Sequence, residues 1–361
     1  MTADLIHPDI RLAETLPSRF YSDEAIYQRC LGKVFGRSWQ FIGDETLIKM
    51  PGAVHPFRLL EGSLDEPLLL TRDWQDQVHL MSNVCTHRGY LVAEHGGCER
   101  HLRCRYHGRR FELDGRFKSM PEFDCVENFP SPADDLPKVP LGRWGRFFFA
   151  GLAPPQALDE LLEDVERRLG WLPWHEFVFD PVDSRDYLVQ ANWALYCDNY
   201  LEGFHIPFVH GSLEASLDYG SYRTELFRWC NLQIGEAADD VLAFELPESS
   251  PEYGQRIGAY YYFLFPNTML NFYPWGLSVN VVKPQGPHRT RISFLSYVWD
   301  EKRIEASAGN QIDRVEREDE VVVEGVQMGV RSRFYDRGRY SPTREQGVHH
   351  FHRLLTEALA D

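Results

Sequence analysis

The sequence lacks any apolar run long enough to cross a bilayer, for which about 20 consecutive apolar residues are needed. It also lacks an excess of positive charge: 38 Lys and Arg stand against 54 Asp and Glu, a formal net charge of -16. That balance argues against non-specific attraction to nucleic acid or to an anionic membrane, and neither is expected as a partner. No internal repeat, low-complexity tract or glycine-rich dinucleotide fingerprint is visible. The seven cysteines are an odd number scattered along the chain, which does not make a disulfide framework. The first twenty residues carry charges and two prolines, Pro8 and Pro17, in place of the apolar centre of a signal peptide. A reducing, cytoplasmic setting is the expectation.

What is present is an ordinary globular mixture. The chain has 361 residues, 43% of them hydrophobic, enough for one large domain or two of usual size. Aromatic residues at 14% favour large buried side chains and apolar pockets over disorder.

Residues 1–20 read as an irregular arm, followed by a helix over 23–35 that Ser22 would cap, with Ala25, Ile26, Cys30 and Val34 at helical spacing. From Trp39 to Ala150 the pattern changes to short strands, including Pro67–Thr71, Val78–Val84, Arg109–Leu113 and Arg146–Ala150. Asp114-Gly115 marks a hairpin turn there. This predicts a small all-β domain, and Ala153-Pro154-Pro155 marks its boundary. Leu158–Leu169 reads as an amphipathic helix, and Trp193–Phe204 as another that halts near Pro207. Strands are expected over Ala259–Phe265, Thr268–Phe272, Leu277–Lys283 and Thr290–Trp299, then helices over 310–333 and 345–359. Helices set apart from an antiparallel sheet make an α+β second domain. The divisions expected are 1–38 for the arm and first helix, 39–153 for the β domain and 154–361 for the second domain.

Two short loops carry the first chemistry. Cys85-Thr86-His87-Arg88-Gly89 and Cys104-Arg105-Tyr106-His107-Gly108 each offer one thiolate and one imidazole. A Rieske [2Fe–2S] cluster needs two thiolates on one iron and two imidazoles on the other, so these four residues meet its requirement. A glycine after each histidine lets the backbone turn tightly. The competing assignment is a structural Cys2His2 zinc site, but zinc sites group their cysteines together and their histidines together, and here the order alternates. Cys98, between the loops, suits packing as a small hydrophobe better than metal binding.

The segment Asp198-Asn199-Tyr200-Leu201-Glu202-Gly203-Phe204-His205-Ile206-Pro207-Phe208-Val209-His210 carries the second. Two histidines and a carboxylate on one face of ferrous iron leave positions open for oxygen. On an unbroken helix His205 and His210 would point about 140° apart. Pro207 is expected to break the helix and let His210 reach the same metal from a loop. Taken alone, such a pair of histidines is more often structural.

Together these segments resemble the α subunit of the Rieske non-haem iron oxygenases, from about Trp39 to the end of the chain. An acidic residue, three others, an acidic residue, two others, His, four others, His is the family pattern, met here by Asp198, Glu202, His205 and His210. Asp198 and Glu202 are thereby marked as candidate catalytic residues. The resemblance implies an all-β Rieske domain followed by a helix-grip catalytic domain, an antiparallel sheet with helices. It also implies an oxygenase that uses dioxygen, a [2Fe–2S] cluster and Fe(II), and a homotrimer. A separate flavin and iron–sulfur reductase would bring electrons from NAD(P)H. In the choline monooxygenase branch a stretch similar to Glu318-Asp319-Glu320 through Gln327-Met328-Gly329 holds the iron-binding aspartate at its second place. That implies Asp319 as third ligand; without the resemblance the acidic run would read as a solvated helix face. The resemblance further implies that Glu202 bridges His205 of one subunit and His107 of the next, glutamate in place of the usual aspartate being a feature of the choline and carnitine branch. Tyr90 and Tyr106 occupy the places where respiratory-chain Rieske proteins have an extra disulfide. Arg105 and Arg109 replace the proline and tryptophan commonly found around the second loop, which implies a different reductase-docking surface or subunit contact. His349, His350 and His352 read as packing or polar structure.

Aromatic residues crowd Tyr260–Phe265 and Asn271–Trp275, with Tyr260 and Tyr262 on one face of a strand and Tyr261 and Phe263 on the other. Such faces suit a quaternary ammonium group or an aromatic substrate, and they equally suit sheet packing. The resemblance to the choline and carnitine branch implies C–H hydroxylation or N-demethylation of a quaternary ammonium or related small substrate. Aromatic ring dioxygenation and a pure electron carrier are the alternatives.

Overall fold

The computed structural model describes residues 5–210, 219–307 and 312–360. The chain forms two compact units, Gly36–Pro155 and a larger one made of Met1–Phe35 with Gln156–Asp361.

The smaller unit is all β. Trp39–Asp44, Phe147–Gly151 and Leu141–Trp144 form one antiparallel sheet. Val78–Ser82, Glu66–Arg72, Ala53–Leu59 and Gly97–Cys98 form a second, and Leu102–Arg103, Arg110–Phe111 and Phe117–Ser119 a third. The turn at Asp114-Gly115 joins the last two strands, Gly115 adopting φ +84° and its N–H donating to the Glu112 carbonyl. One apolar cluster joins Val54, Leu69, Met81, Leu102, Phe111 and Leu136, and it includes Cys85 and Cys104.

The larger unit is built on a seven-stranded antiparallel sheet. Its order runs from Val178–Val189 through Thr290–Val298, Gly276–Pro284, Thr268–Tyr273, Ile257–Leu264 and Cys230–Glu236 to Arg223–Leu226. The central strands are buried on both faces, so they read in sequence as continuous apolar runs. The edge strand Val178–Val189 is mostly exposed and slips register between Asp180 and Arg185, and no alternation announces it. One face carries the helix Leu158–Leu169, where Asp164 accepts from the Tyr262 hydroxyl. The opposite face, that of Phe263, meets Tyr200 and Phe351 from the helices Trp193–Tyr200 and Gln346–Ala360. The helix Ile312–Gly329 lies beside the first of these, Glu316 accepting from Tyr196.

Residues 5–23 are largely irregular but tied to the C-terminal helix: Ile6 N–H donates to Thr356 Oγ1, and His349 Nε2 pairs with the His7 carbonyl. The helix after them is Glu24–Lys33, and its cap is Asp23, not Ser22. The Asp23 carboxylate accepts from Ala25 and Ile26 N–H, whereas the Ser22 hydroxyl turns back to the Ser18 carbonyl.

Candidate metal centres

The two cluster loops are built alike. In each, the cysteine N–H donates to the carbonyl five residues on, Cys85 to Tyr90 and Cys104 to Arg109. The glycine four residues on, Gly89 or Gly108, donates back to the cysteine carbonyl. Both glycines have positive φ, +73° and +75°, a conformation that a side chain would strain. Both cysteines are therefore buried in the apolar cluster, while His87 is half-buried and His107 exposed. The imidazole rings lie 4.8 Å apart in an edge arrangement.

The donor set fits a two-iron cluster. Cys85 and Cys104 are free thiols close enough to hydrogen-bond, and the histidines pair separately. Where respiratory-chain proteins would place a disulfide, Tyr90 and Tyr106 pack with ring centroids 5.8 Å apart, and Arg105 donates to the Tyr90 hydroxyl. Tyr106 covers His107 at 3.8 Å. Arg105 is exposed and fits an outer contact surface; Arg109 is 2% exposed and does not.

The second centre begins at Asn192, whose side chain caps the helix Trp193–Tyr200. That helix ends at Tyr200, before Glu202, and not at Pro207. Pro207 instead stands in the first turn of a separate short helix, Ile206–Val209, where a missing N–H costs nothing. The break thus comes from the Leu201–His205 turn, where the Glu202 carboxylate accepts from the N–H groups of Phe204 and His205. His210 follows the short helix, and its ring centroid lies 5.1 Å from that of His205.

Donor atoms of His205, His210 and Asp319 all lie within 4.8 Å of one another. Asp319 Oδ1 is 3.0 Å from His210 Nε2 and 3.6 Å from His205 Nε2. Each histidine has its other nitrogen on a carboxylate: His205 Nδ1 on Glu202 at 2.7 Å and His210 Nδ1 on Glu318 at 2.9 Å. Both rings therefore offer Nε2 to one point, the arrangement that orients metal-binding histidines. Burial disfavours the protonated form of His210, but Asp319 and Glu318 outweigh it and hold its pKa above the ordinary imidazole value. The set attracts a cation, and one carboxylate with two imidazoles suits ferrous iron.

Two neighbours are not evident from sequence spacing. Asn199 Nδ2 donates to Asp319 Oδ1 at 3.0 Å, and Glu318 is a hydrogen-bond partner of His210 rather than a member of the donor group. Asp198 is not brought into this group. Its carboxylate accepts from Tyr21 at 2.9 Å and pairs with His352 Nε2 at 2.8 Å, and His352 Nδ1 reaches Tyr340 at 2.6 Å.

The tyrosine faces separate as strand parity predicts. Tyr260 and Tyr262 turn to Glu252 and Asp164, while Tyr261 joins Tyr222 and Tyr273, with Trp275 stacked on Tyr273 at 5.2 Å. Tyr222 in turn packs against Gly203, inside the loop that carries Glu202 and His205.

Two loops in a β unit, each offering one buried cysteine and one histidine, followed by a two-histidine, one-carboxylate site against an antiparallel sheet, make the combination of the Rieske-type oxygenases. Residues 38–130 match the Rieske [2Fe-2S] domain, and residues 174–361 match the ring hydroxylating alpha subunit (catalytic domain). The chain belongs to this ring-hydroxylating alpha-subunit family and is a Rieske oxygenase. Among its relatives, the chloroplastic choline monooxygenase of Arabidopsis thaliana is 31% identical over 95% of this chain and 82% of that protein. The carnitine monooxygenase oxygenase subunit of Escherichia coli (strain K12) is 26% identical over 97% of this chain and 95% of its own. A solved quaternary ammonium Rieske monooxygenase shares the fold, with TM-score 0.79 at 22% identity, covering 98% of this chain and 96% of that one. No helix of the described residues is long and apolar enough to cross a membrane.

Proposed function

We propose that this chain is the terminal component of a monooxygenase that hydroxylates a C–H bond of a small quaternary ammonium compound. The observation that carries the substrate class is the 31% identity to a choline monooxygenase across almost the whole chain. The aromatic group Tyr222, Tyr261, Tyr273 and Trp275 beside the Glu202–His205 loop supports it, because ring faces attract a quaternary ammonium through cation–π contact.

Cys85, His87, Cys104 and His107 would hold the cluster, and His205, His210 and Asp319 the iron. When bound, the cluster supplies electrons and the iron activates dioxygen. The chain's own part is positional. Glu202 and Glu318 hold the Nδ1 protons and fix both imidazole planes, while Asn199 keeps Asp319 Oδ1 turned to the same point. His210 is fully buried, whereas His205 and Asp319 keep 17% and 14% exposure, so the side left for small molecules is theirs. On the aromatic side Tyr273 and Trp275 are buried, with Tyr200, Tyr222 and Tyr261 half-buried around them. In overall balance one oxygen atom enters the C–H bond and the other leaves as water, with two electrons and two protons consumed. On an N-methyl group the product is a carbinolamine that releases formaldehyde.

A separate reductase using NAD(P)H would feed the cluster, consistent with the missing dinucleotide fingerprint. Glu202 would bridge His205 to His107 of a neighbouring copy in a trimer. Exposed Phe204 and Phe208 on either side of His205 support a contact surface there. The five cysteines outside the cluster set, unpaired with one another, suit a reducing, cytoplasmic compartment.

The test is a single-turnover assay: purified, chemically reduced protein mixed with oxygen and either pooled quaternary ammonium compounds or pooled aromatic acids. Formaldehyde or a hydroxylated amine from the first pool is the expected result. Product from the aromatic pool alone would overturn the substrate class and leave the oxygenase assignment standing.

A further inference from the structure

Arg109 is two residues past His107, yet its side chain is among the most buried in the protein, at 2% exposure. An isolated buried cation is costly, and the small β unit offsets that cost in two ways. Nη2 donates to Asp134 Oδ1 at 2.7 Å and to the Asp134 carbonyl at 3.1 Å. The guanidinium also lies within 4.9 Å of the Phe117 ring centre, 5.5 Å of Phe129 and 5.7 Å of Phe111. Those rings continue to the candidate cluster: Phe129 packs on Phe123, and Phe123 packs edge-on against His87 at 5.4 Å.

Asp134 also serves the other loop. Its carbonyl accepts from Thr86 Oγ1 at 2.7 Å, and Thr86 stands between Cys85 and His87. Its second carboxylate oxygen is turned to the N–H and hydroxyl of Ser131. The ion pair is thus oriented, with the cation on the His107 loop and the anion tied to the 131–134 turn. Arg109 Nε has no hydrogen-bond partner among the described residues, so Asp134 does not saturate the guanidinium.

We propose that Arg109 sets the reduction potential of the Rieske cluster, as a buried fixed cation whose field favours the reduced state, with Asp134 as the counter-charge that limits it. Reduction adds one negative charge to a centre whose cysteines are buried among apolar side chains, and a cation buried in the same unit is less screened there than in water. The environment around a metal site tunes its potential in this way without supplying a ligand. The inference rests on the cluster assignment to these loops.

The experiment is a redox titration of the purified holoprotein, followed by the electron paramagnetic resonance signal of the reduced cluster, on wild type, Arg109→Gln, Arg109→Lys and Asp134→Asn. Arg109→Gln is expected to lower the potential by about tenfold in the reduction equilibrium, ~59 mV for a one-electron couple. Arg109→Lys keeps the charge and should hold closer to wild type than Gln does. Asp134→Asn leaves the cation uncompensated and should raise the potential. This opposite shift is what a packing role would not produce, and it remains readable if Arg109→Gln fails to assemble. Wild-type potential in whichever of Arg109→Gln and Asp134→Asn retains the cluster would overturn the proposal. Failure of the cluster assignment would look different, as no iron–sulfur signal in the wild-type protein.

Discussion

Glu318 and His210 meet at 2.9 Å, carboxylate to Nδ1, one residue along the helix from the carboxylate that faces His210 Nε2. Consecutive residues of one helix therefore grip both edges of a single imidazole. Glu318 in turn is held by Arg314 at 3.0 Å, and these contacts keep its pKa below the usual glutamate value, His210 contributing most. If Asp319 is a ligand, Glu318 decides how firmly the ring beside it is held. Glu318→Ala should weaken iron binding about 10- to 100-fold, as removal of such outer partners does at other metal sites. Iron content after graded chelator treatment measures it. Retention equal to wild type would assign Glu318 to the helix surface.

Glu202 has both oxygens engaged within its own loop, one with His205 Nδ1 and one with backbone N–H groups. A bridge to another copy must therefore use the remaining lone pairs of the same carboxylate. Glu202→Gln keeps the shape and removes the charge. We expect a normal cluster signal, iron loading reduced no more than about tenfold, and a cluster that no longer reoxidises quickly with substrate and oxygen. Normal reoxidation by rapid mixing would confine Glu202 to orienting His205.

Much of this site is legible in the sequence because its parts are local. Each cluster loop is closed by bonds between a cysteine and residues four and five positions later, so the ligand spacing carries the geometry. The His205–His210 segment is likewise continuous, although its break lies at residues 201–205 and Pro207 merely begins the next turn. Asp319 is 109 residues from its partner and is visible only by resemblance. Glu318 cannot be told from Asp319 or Glu320 by composition, because the choice depends on which helix face meets His210. Arg109 reads as a surface residue since arginine is rarely buried; only the meeting of Asp134 with three phenylalanines reverses that. The strand Val178–Val189 is missed because an exposed, bulged edge has no period to detect.

Asp198 stands in the family pattern four residues before Glu202, but its carboxylate is committed to Tyr21 and His352. Tyr21 comes from the N-terminal segment and His352 from the C-terminal helix, so Asp198 joins the two ends of the chain to the helix Trp193–Tyr200. Asp198→Ala would leave the buried Tyr21 hydroxyl and His352 ring short of a partner, at about 1–3 kcal/mol. A lower melting temperature with unchanged iron content is the expected outcome. Unchanged melting with lost turnover would make Asp198 part of the chemistry.

Arg168 offers the sharpest stability test, on the sheet face away from His205. Its side chain is 3% exposed and meets Glu252, which is buried, Glu225 at 2.6 Å and Asp164 at 3.4 Å. Tyr260 and Tyr262 donate to the same Glu252 and Asp164 carboxylates, completing the network. Burial opposes the charged guanidinium, but Tyr262 and the carboxylates of Asp164, Glu252 and Glu225 outweigh it and its pKa is raised. Arg168→Ala would leave buried Asp164 with Arg167 alone and buried Glu252 with only Arg223 at 3.5 Å, and breaking buried pairs of this kind costs up to about 3–5 kcal/mol. Arg168→Lys should recover only part of this, since a single ammonium cannot serve three carboxylates as a planar fork does. Thermal melting should rank wild type above Lys above Ala, with the reduced-cluster signal the same in all three below the transition. A melting temperature in Arg168→Ala equal to wild type would mean that the carboxylates are neutral when paired with the tyrosines, and that the ion pairs contribute nothing.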